Sequence, residues 1–105
     1  AYTHIGDAVN LAKRLQDLQV EWRRRLTQAR ASALLLRLAD SLFDVPILTI
    51  PQAQRLLGVT YRSAQRNVEK LLAAGILQQE SEISYGKSRL FVAPEILRIL
   101  AGEEP

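Results

Sequence analysis

The first third of the chain carries apolar residues at the spacing of an amphipathic helix. Residues 5–30 contain no proline, and no glycine follows Gly6. Apolar side chains recur there every three or four residues, which places them on one side of a helix. A helix of about 25 residues would be roughly 38 Å long, more than one small domain can cover. We therefore predict that this side meets a second chain or another domain, through Leu11, Leu15, Leu18, Trp22 and Leu26.

Trp22 is the predicted centre of that contact. The alternative is that its ring packs on the next helix of the same chain. Arg23, Arg24 and Arg25 follow it, but three consecutive helical residues spread over roughly 200° and cannot form one stripe. We therefore expect a solvated, charged face there, on which Glu21 pairs with Arg24 and Arg25.

Shorter helices separated by turn residues come next. Residues 32–43 are apolar over most of a helical circumference, which predicts a buried helix that ends before Pro46. Thr49 and Gln52 have the spacing of a capping box, so a new helix is predicted to begin there. Gly58 can adopt the positive φ that ends this helix.

A longer helix is predicted from Thr60, its N-cap, to Gly75. Two helices joined by a glycine-containing turn form a helix-turn-helix, whose second helix commonly enters the major groove of DNA. Its cations lie opposite its apolar arc, so we predict DNA contact through Thr60, Tyr61, Arg62, Ser63, Arg66 and Lys70. A solvated outer face is the alternative, because Glu69 lies among the cations and would repel phosphate.

Two strands are predicted after this helix, at residues 76–80 and 89–93, with residues 81–88 as the loop between them. A hairpin behind a helix-turn-helix makes a winged helix. Lys87 and Arg89 are then placed to contact phosphate or a minor groove. The alternative is a hairpin that only completes the core. Pro94 is predicted to open a last helix, which Gly102 ends.

The predicted fold is mainly α with a small β-hairpin: a winged helix-turn-helix domain at residues 32–105, preceded by a long connector or dimerisation helix at residues 1–31. The formal charge of +3 among 105 residues is mild. The longest apolar run is far short of the ~18 residues that cross a membrane. The absence of cysteine excludes disulfides within these residues and fits a cytoplasmic protein.

Catalytic chemistry has little support in the sequence. His4 is the only histidine, there is no cysteine, and no phosphate-binding or dinucleotide-binding motif occurs. We therefore expect no catalytic residue, no metal site and no cofactor. The chain has no methionine, even at its start, and we expect it to be a piece of a longer protein.

Several segments resemble the C-terminal region of Fic-family proteins. Residues 44–49, 53–60 and 71–77, with Ala64, are similar to its winged helix, and residues 88–100 resemble its end more closely. The helix that carries Leu18, Glu21, Trp22, Arg23 and Leu26 is similar to the connector after the family's catalytic core. The resemblance implies a parent enzyme that transfers AMP from ATP to a protein hydroxyl. The motif for that reaction, His-Pro-Phe leading to Gly-Asn-Gly-Arg, is absent here.

Two functions are therefore open. The first is a DNA-binding module that regulates transcription, with double-stranded DNA, the catalytic core of the parent chain and a second copy of the chain as expected partners. The second is a protein-interaction or oligomerisation module that regulates or targets the parent enzyme without binding DNA. The fold alone does not choose between them, but the cations on the second helix favour the first.

Overall fold

The computed structural model describes residues 2–85 and 88–102, with side chains described for residues 8–80 and 88–102. Its elements, in chain order, are α1 (Tyr2–Gln28), α2 (Ala33–Ser41), β1 (Ile47–Leu48), α3 (Ile50–Leu57), α4 (Tyr61–Ala73), β2 (Gln78–Tyr85), β3 (Ser88–Val92) and α5 (Pro94–Leu100). Within these described ranges, no helix combines the length and apolar character needed to span a bilayer. The predicted fold class, mainly helical with a small antiparallel sheet, is confirmed.

The caps predicted for the helix-turn-helix are present. Thr49 Oγ1 accepts from the backbone N–H of Gln52 at 3.3 Å, and Gln52 Oε1 accepts from the N–H of Thr49 at 2.9 Å. This reciprocal pair satisfies amides that the first turn of α3 would otherwise leave open. Gly58 ends α3 with φ of 65°, and Thr60 Oγ1 accepts from the N–H of Ser63 at 3.1 Å to begin α4.

The sheet differs from the predicted hairpin in two respects. It has three antiparallel strands in the order β1-β3-β2, because Ile47 and Leu48 pair with the end of β3. The predicted loop at residues 81–88 was wrong: β2 continues to Tyr85 and β3 begins at Ser88. The register of the pairing shifts between Glu80 and Ser84, which lie opposite two consecutive residues of β3. The residues between them are among those that the sequence pattern assigned to a loop.

A single hydrophobic core joins α1 to the winged helix. Trp22 and Leu26 are buried in it together with residues of α2, α3, α4, β3 and α5. The Trp22 ring is 1% exposed, and its centroid lies 4.9 Å from that of Phe43. Both α1 residues are therefore committed to this chain's own core, which corrects the prediction that Trp22 and Leu26 face a second chain. The Trp22 ring instead packs beside the end of α2, which agrees with the alternative that it packs on the next helix of the same chain.

The rest of the predicted interface is less deeply covered. Leu15 and Leu18 are partly buried against the core, and Leu11 is half-buried. No contact with a second chain tests their role, so that part of the interface stays a prediction. The proposed division at residue 31 likewise stays a prediction, although the core draws on residues from both sides of it.

The arginine run on α1 makes four ion pairs within the described part of the chain. Arg23 pairs with Asp40 of α2, and Arg24 pairs with Glu21 at 2.6 Å. Arg25 pairs with Glu21 at 3.9 Å and with Glu95 of α5 at 3.3 Å. The pairing of Glu21 with Arg24 and Arg25 is as the helical spacing predicted. Gln19 Nε2 also donates to Asp40 Oδ1 at 3.2 Å, so α1 and α2 are joined by polar contacts as well as by the core.

A pH-dependent prediction follows for Glu21. The hydrogen bond from Arg24, helped by the charges of Arg24 and Arg25, holds the pKa of the Glu21 carboxyl below its ordinary value. A lowered folded-state pKa stabilises the fold above the unfolded value, and this contribution is lost as pH falls through the folded value. We expect Arg24→Ala to raise the pKa of Glu21 in a side-chain carboxyl NMR titration. Arg23→Ala, which removes a different ion pair, should leave it unchanged; an equal rise in both variants would contradict the assignment.

Candidate nucleic-acid interface

The outer side of α4 is the surface that the sequence assigned to DNA. Ala64, Val68 and Leu71 are fully buried against the rest of the domain. Their burial fixes the rotation of the helix about its axis, so the residues on its opposite side must face outward. The exposed residues of α4 and its N-cap are Thr60, Tyr61, Arg62, Arg66, Glu69, Lys70 and Ala73, and Ser63 is half-buried. The predicted contact residues of α4 therefore reach the surface, Ser63 only in part.

The three cations form a row along this surface. Arg62, Arg66 and Lys70 are each four residues apart, which is the spacing that stacks side chains along one side of a helix. Glu69 is exposed beside them, and its negative charge lowers the local positive potential. Tyr61 is 48% exposed at the start of the helix, where it offers both an aromatic face and a hydroxyl.

Small residues hold the two helices of the motif close together. Ala53 of α3 and Ala64 of α4 are both fully buried, and Val59 in the turn packs against the core. Arg55 and Leu56, near the end of α3, are exposed. Because alanine carries only a methyl group, α3 and α4 can pack closely against each other.

Asn67 is a residue of α4 that the sequence pattern did not single out. It is only 8% exposed, and its Nδ2 donates to the backbone carbonyl oxygen of Ser63 at 2.9 Å. The side chain thus satisfies its donor within its own helix, at the boundary between the buried and exposed sides. In the sequence, only its position on the helix, between Ser63 and the apolar side, indicated that Asn67 would be buried.

The wing is the hairpin of β2 and β3, and the structure describes it except for residues 86 and 87. Lys87 lies outside the described residues, so its predicted role is untested. Arg89 is exposed on β3, opposite Ser84 in the register of the sheet. Its Cζ lies 5.7 Å from the centroid of the Phe91 ring, which is itself buried. This cation–π contact restricts the Arg89 side chain while leaving its guanidinium accessible.

Comparison with known proteins supports the fold. No protein-family profile matches the chain, and no curated protein sequence matches it. Among solved structures, a MarR family transcriptional regulator from Silicibacter pomeroyi is similar with a TM-score of 0.56 and 24% identity, over 88% of this chain and 62% of that one. RV1404 from Mycobacterium tuberculosis is similar with a TM-score of 0.53 and 17% identity, over 96% of this chain and 70% of that one.

Another similar structure is that of reduced AbfR bound to DNA. Its TM-score is 0.54 at 12% identity, over 100% of this chain and 80% of that one. At these identities the likeness establishes the winged-helix fold. The chain also spans less than two thirds of the length of the Silicibacter protein.

These neighbours overturn the resemblance to Fic-family proteins. Two of the similar structures are described as MarR family transcription regulators, and no sequence match supports a Fic relationship. The helix-turn-helix spacing on which that resemblance drew is imposed by the fold and recurs in unrelated proteins. The expected AMP-transferring parent enzyme and its catalytic core are therefore without support.

Proposed function

We propose that this chain is a winged-helix DNA-binding module that regulates transcription. The observation that carries the proposal is the row of Arg62, Arg66 and Lys70 on the exposed side of the second helix of a helix-turn-helix. Cations in such a row can neutralise phosphates along a groove wall, and arginine can also bind guanine in the major groove through two hydrogen bonds. The winged-helix neighbours include one solved on DNA, which supports the same reading.

In this arrangement α4 is the recognition helix. Its N-terminal half would bring Arg62 and Arg66 to base edges or phosphates, while α3 and the core support it from behind. Arg89 on β3 would contact phosphate at the side of the wing, because the Phe91 ring limits the directions it can take. Thr60 and Ser63 can add hydroxyl contacts to phosphate at the start of the helix. Cytoplasmic localisation, which the sequence predicts, is part of the same proposal.

Control of this activity by thiol oxidation is not available to these residues. AbfR, one of the similar structures, has been solved in a disulfide form and in a reduced form on DNA. The 105 residues of this chain contain no cysteine. Any regulation of its DNA binding that arises within them must therefore use another chemistry.

Binding to pooled duplex DNA at several salt concentrations tests the proposal. We expect weak binding by the wild-type chain that falls as salt rises, because released counterions contribute to it. Arg66→Ala should impair binding most: loss of a phosphate contact lowers the log–log salt slope by about 0.9, whereas loss of a base contact costs about 1–3 kcal/mol. Fluorescence anisotropy on a labelled duplex measures both quantities.

Arg24→Ala is the matched control for this experiment. Arg24 is also an exposed helical arginine, but it lies on α1 and pairs with Glu21. Its loss should change DNA affinity little. If the wild-type chain binds no duplex even at low ionic strength, the DNA-binding proposal is wrong. The protein-interaction module would then be favoured, with Arg66 facing solvent or a protein partner.

A further inference from the structure

Arg25 lies where three helices meet. Its Nη1 is 3.3 Å from the backbone carbonyl oxygen of Ala74 and 3.3 Å from Glu95 Oε1. Ala74 is the C-cap of α4, and Glu95 lies in the first turn of α5. A single side chain of α1 therefore bonds to the end of the proposed recognition helix and to the start of α5. We call Arg25, Ala74, Glu95 and Trp22 the Arg25 junction.

The Arg25 guanidinium donates to a carbonyl oxygen at the end of α4 that the bonds of the helix leave free. Gly75 has a φ of 75°, and its backbone N–H donates to the carbonyl oxygen of Leu72 at 3.1 Å. The N–H of Ile76 donates to the carbonyl oxygen of Leu71 at 3.0 Å, which completes the hydrogen-bond pattern of a Schellman motif. These bonds satisfy carbonyl groups inside the last turn. The carbonyl of Ala74 lies beyond them and accepts from Arg25 instead. A guanidinium at this point also complements the negative end of the helix dipole.

Glu95 and Trp22 hold Arg25 in place. Glu95 Oε1 accepts from Trp22 Nε1 at 3.3 Å as well as from Arg25. The Trp22 ring is buried in the core, so the position of the Glu95 carboxylate is tied to the packing of the domain. A carboxylate in the first turn of α5 is also favoured by the dipole of that helix. The Arg25 junction is therefore a set of oriented charges attached to the core.

We propose that Arg25 is a positioning residue for the recognition helix, acting through the carbonyl of Ala74. This inference rests on the proposed DNA binding by α4. Without Arg25, the last turn of α4 loses its link to α1 and α5, and the direction of the helix is less well defined. DNA binding requires Arg62 and Arg66 to arrive at fixed positions in a groove, so a looser helix binds more weakly.

Direct contact of Arg25 with DNA makes a different prediction. Arg25 bonds to Ala74, which lies roughly 18 Å along α4 from Arg62 at about 1.5 Å per residue, so the two arginines are at opposite ends of the helix. A cation that acts only through the helix releases no counterion of its own. Its removal should weaken binding at every salt concentration and leave the salt slope unchanged. Loss of a phosphate contact would instead lower that slope by about 0.9.

The test compares Arg25→Met with Arg25→Lys and with Arg24→Met as the matched control. Methionine keeps an unbranched stem without donors, and lysine restores a cation with N–H donors. At a temperature where circular dichroism shows every variant fully folded, we expect Arg25→Met to bind duplex DNA on the order of three- to tenfold more weakly, the scale of one screened charge-assisted hydrogen bond. Arg25→Lys should recover part of the loss, and Arg24→Met should match the wild type.

Hydrogen exchange of the free protein gives a second readout that does not need DNA. We expect faster exchange of the amides in the last turn of α4 in Arg25→Met, with the amides of α3 unchanged. If Arg25→Met does not fold, Glu95→Gln serves instead, because it keeps an acceptor for Trp22 and weakens the hold on Arg25.

The outcomes separate the inference from the proposed function. A wild-type chain that binds no duplex contradicts the proposed function, and the exchange of α4 then decides whether Arg25 secures the helix. A change in salt slope in Arg25→Met overturns the inference in favour of direct contact with DNA. Unchanged affinity and unchanged exchange in the folded variant overturn it as well.

Discussion

Trp22→Ala is expected to lower the free energy of unfolding by about 3–5 kcal/mol, the range for large-to-small changes at buried aromatic positions. The ring is 1% exposed and packs against Phe43 at a centroid distance of 4.9 Å, so alanine leaves a cavity between α1 and the end of α2. The change also removes the indole N–H that donates to Glu95. Urea denaturation followed by circular dichroism measures the loss.

Two further variants identify the source of this effect. Trp22→Phe keeps an aromatic ring beside Phe43 but removes the hydrogen bond to Glu95, so it should cost less than alanine. Val20→Ala is the control on the same helix, because Val20 is 68% exposed and should change stability little. If Trp22→Ala cost no more than Val20→Ala, α1 would not belong to the core of this chain, and the predicted interface with a second chain would be favoured.

The behaviour of Trp22 shows what an apolar stripe can and cannot reveal. The spacing of the stripe predicted a long helix, and α1 extends over Tyr2–Gln28. Periodicity gives the side of a helix that is covered but does not name the surface that covers it. For Trp22 and Leu26 that surface belongs to the same chain, because α2 turns back along α1 and α5 closes over it.

Local capping signals were the most accurate part of the sequence reading. The capping box of Thr49 and Gln52 predicted the start of α3, Gly58 predicted its end, and Thr60 predicted the start of α4. Each signal acts through a hydrogen bond or a φ angle set within a few residues, so it can be recognised in the sequence. The wing was predicted less well. β1 has only two residues, too few to show an alternating pattern, and the register of β2 shifts between Glu80 and Ser84, which breaks the alternation on which strand prediction depends.

The candidate DNA-binding surface follows the same division. Burial of Ala64, Val68 and Leu71 could be predicted from helical periodicity, and with it the outward direction of Arg62 and Arg66. The Arg25 junction could not, since it joins residues 49 and 70 positions apart in the chain. Contacts of that kind depend on how helices cross, which short-range patterns do not contain.

Gly58→Val is expected to destabilise the fold by about 1–3 kcal/mol through backbone strain. Gly58 has φ of 65° and ψ of 39°, in the left-handed region that a β-branched residue strongly disfavours. A Cβ built at this position meets nothing within 4 Å, so the cost comes from the backbone and not from a clash. In a domain of this size, each kcal/mol corresponds to about 4–8 °C in melting temperature. Differential scanning calorimetry therefore resolves the expected change.

Gly58→Asn and Gly102→Val are the controls that make this prediction specific. Asparagine tolerates the left-handed region, so Gly58→Asn should cost clearly less than Gly58→Val. Gly102 also has positive φ, 79°, and open space around it, but it is exposed after the last turn of α5, where fraying of the helix end can relieve the strain. Equal losses from asparagine and valine at Gly58 would show that something other than φ sets the cost. A melting temperature unchanged by Gly58→Val would show that the turn between α3 and α4 does not need a left-handed residue.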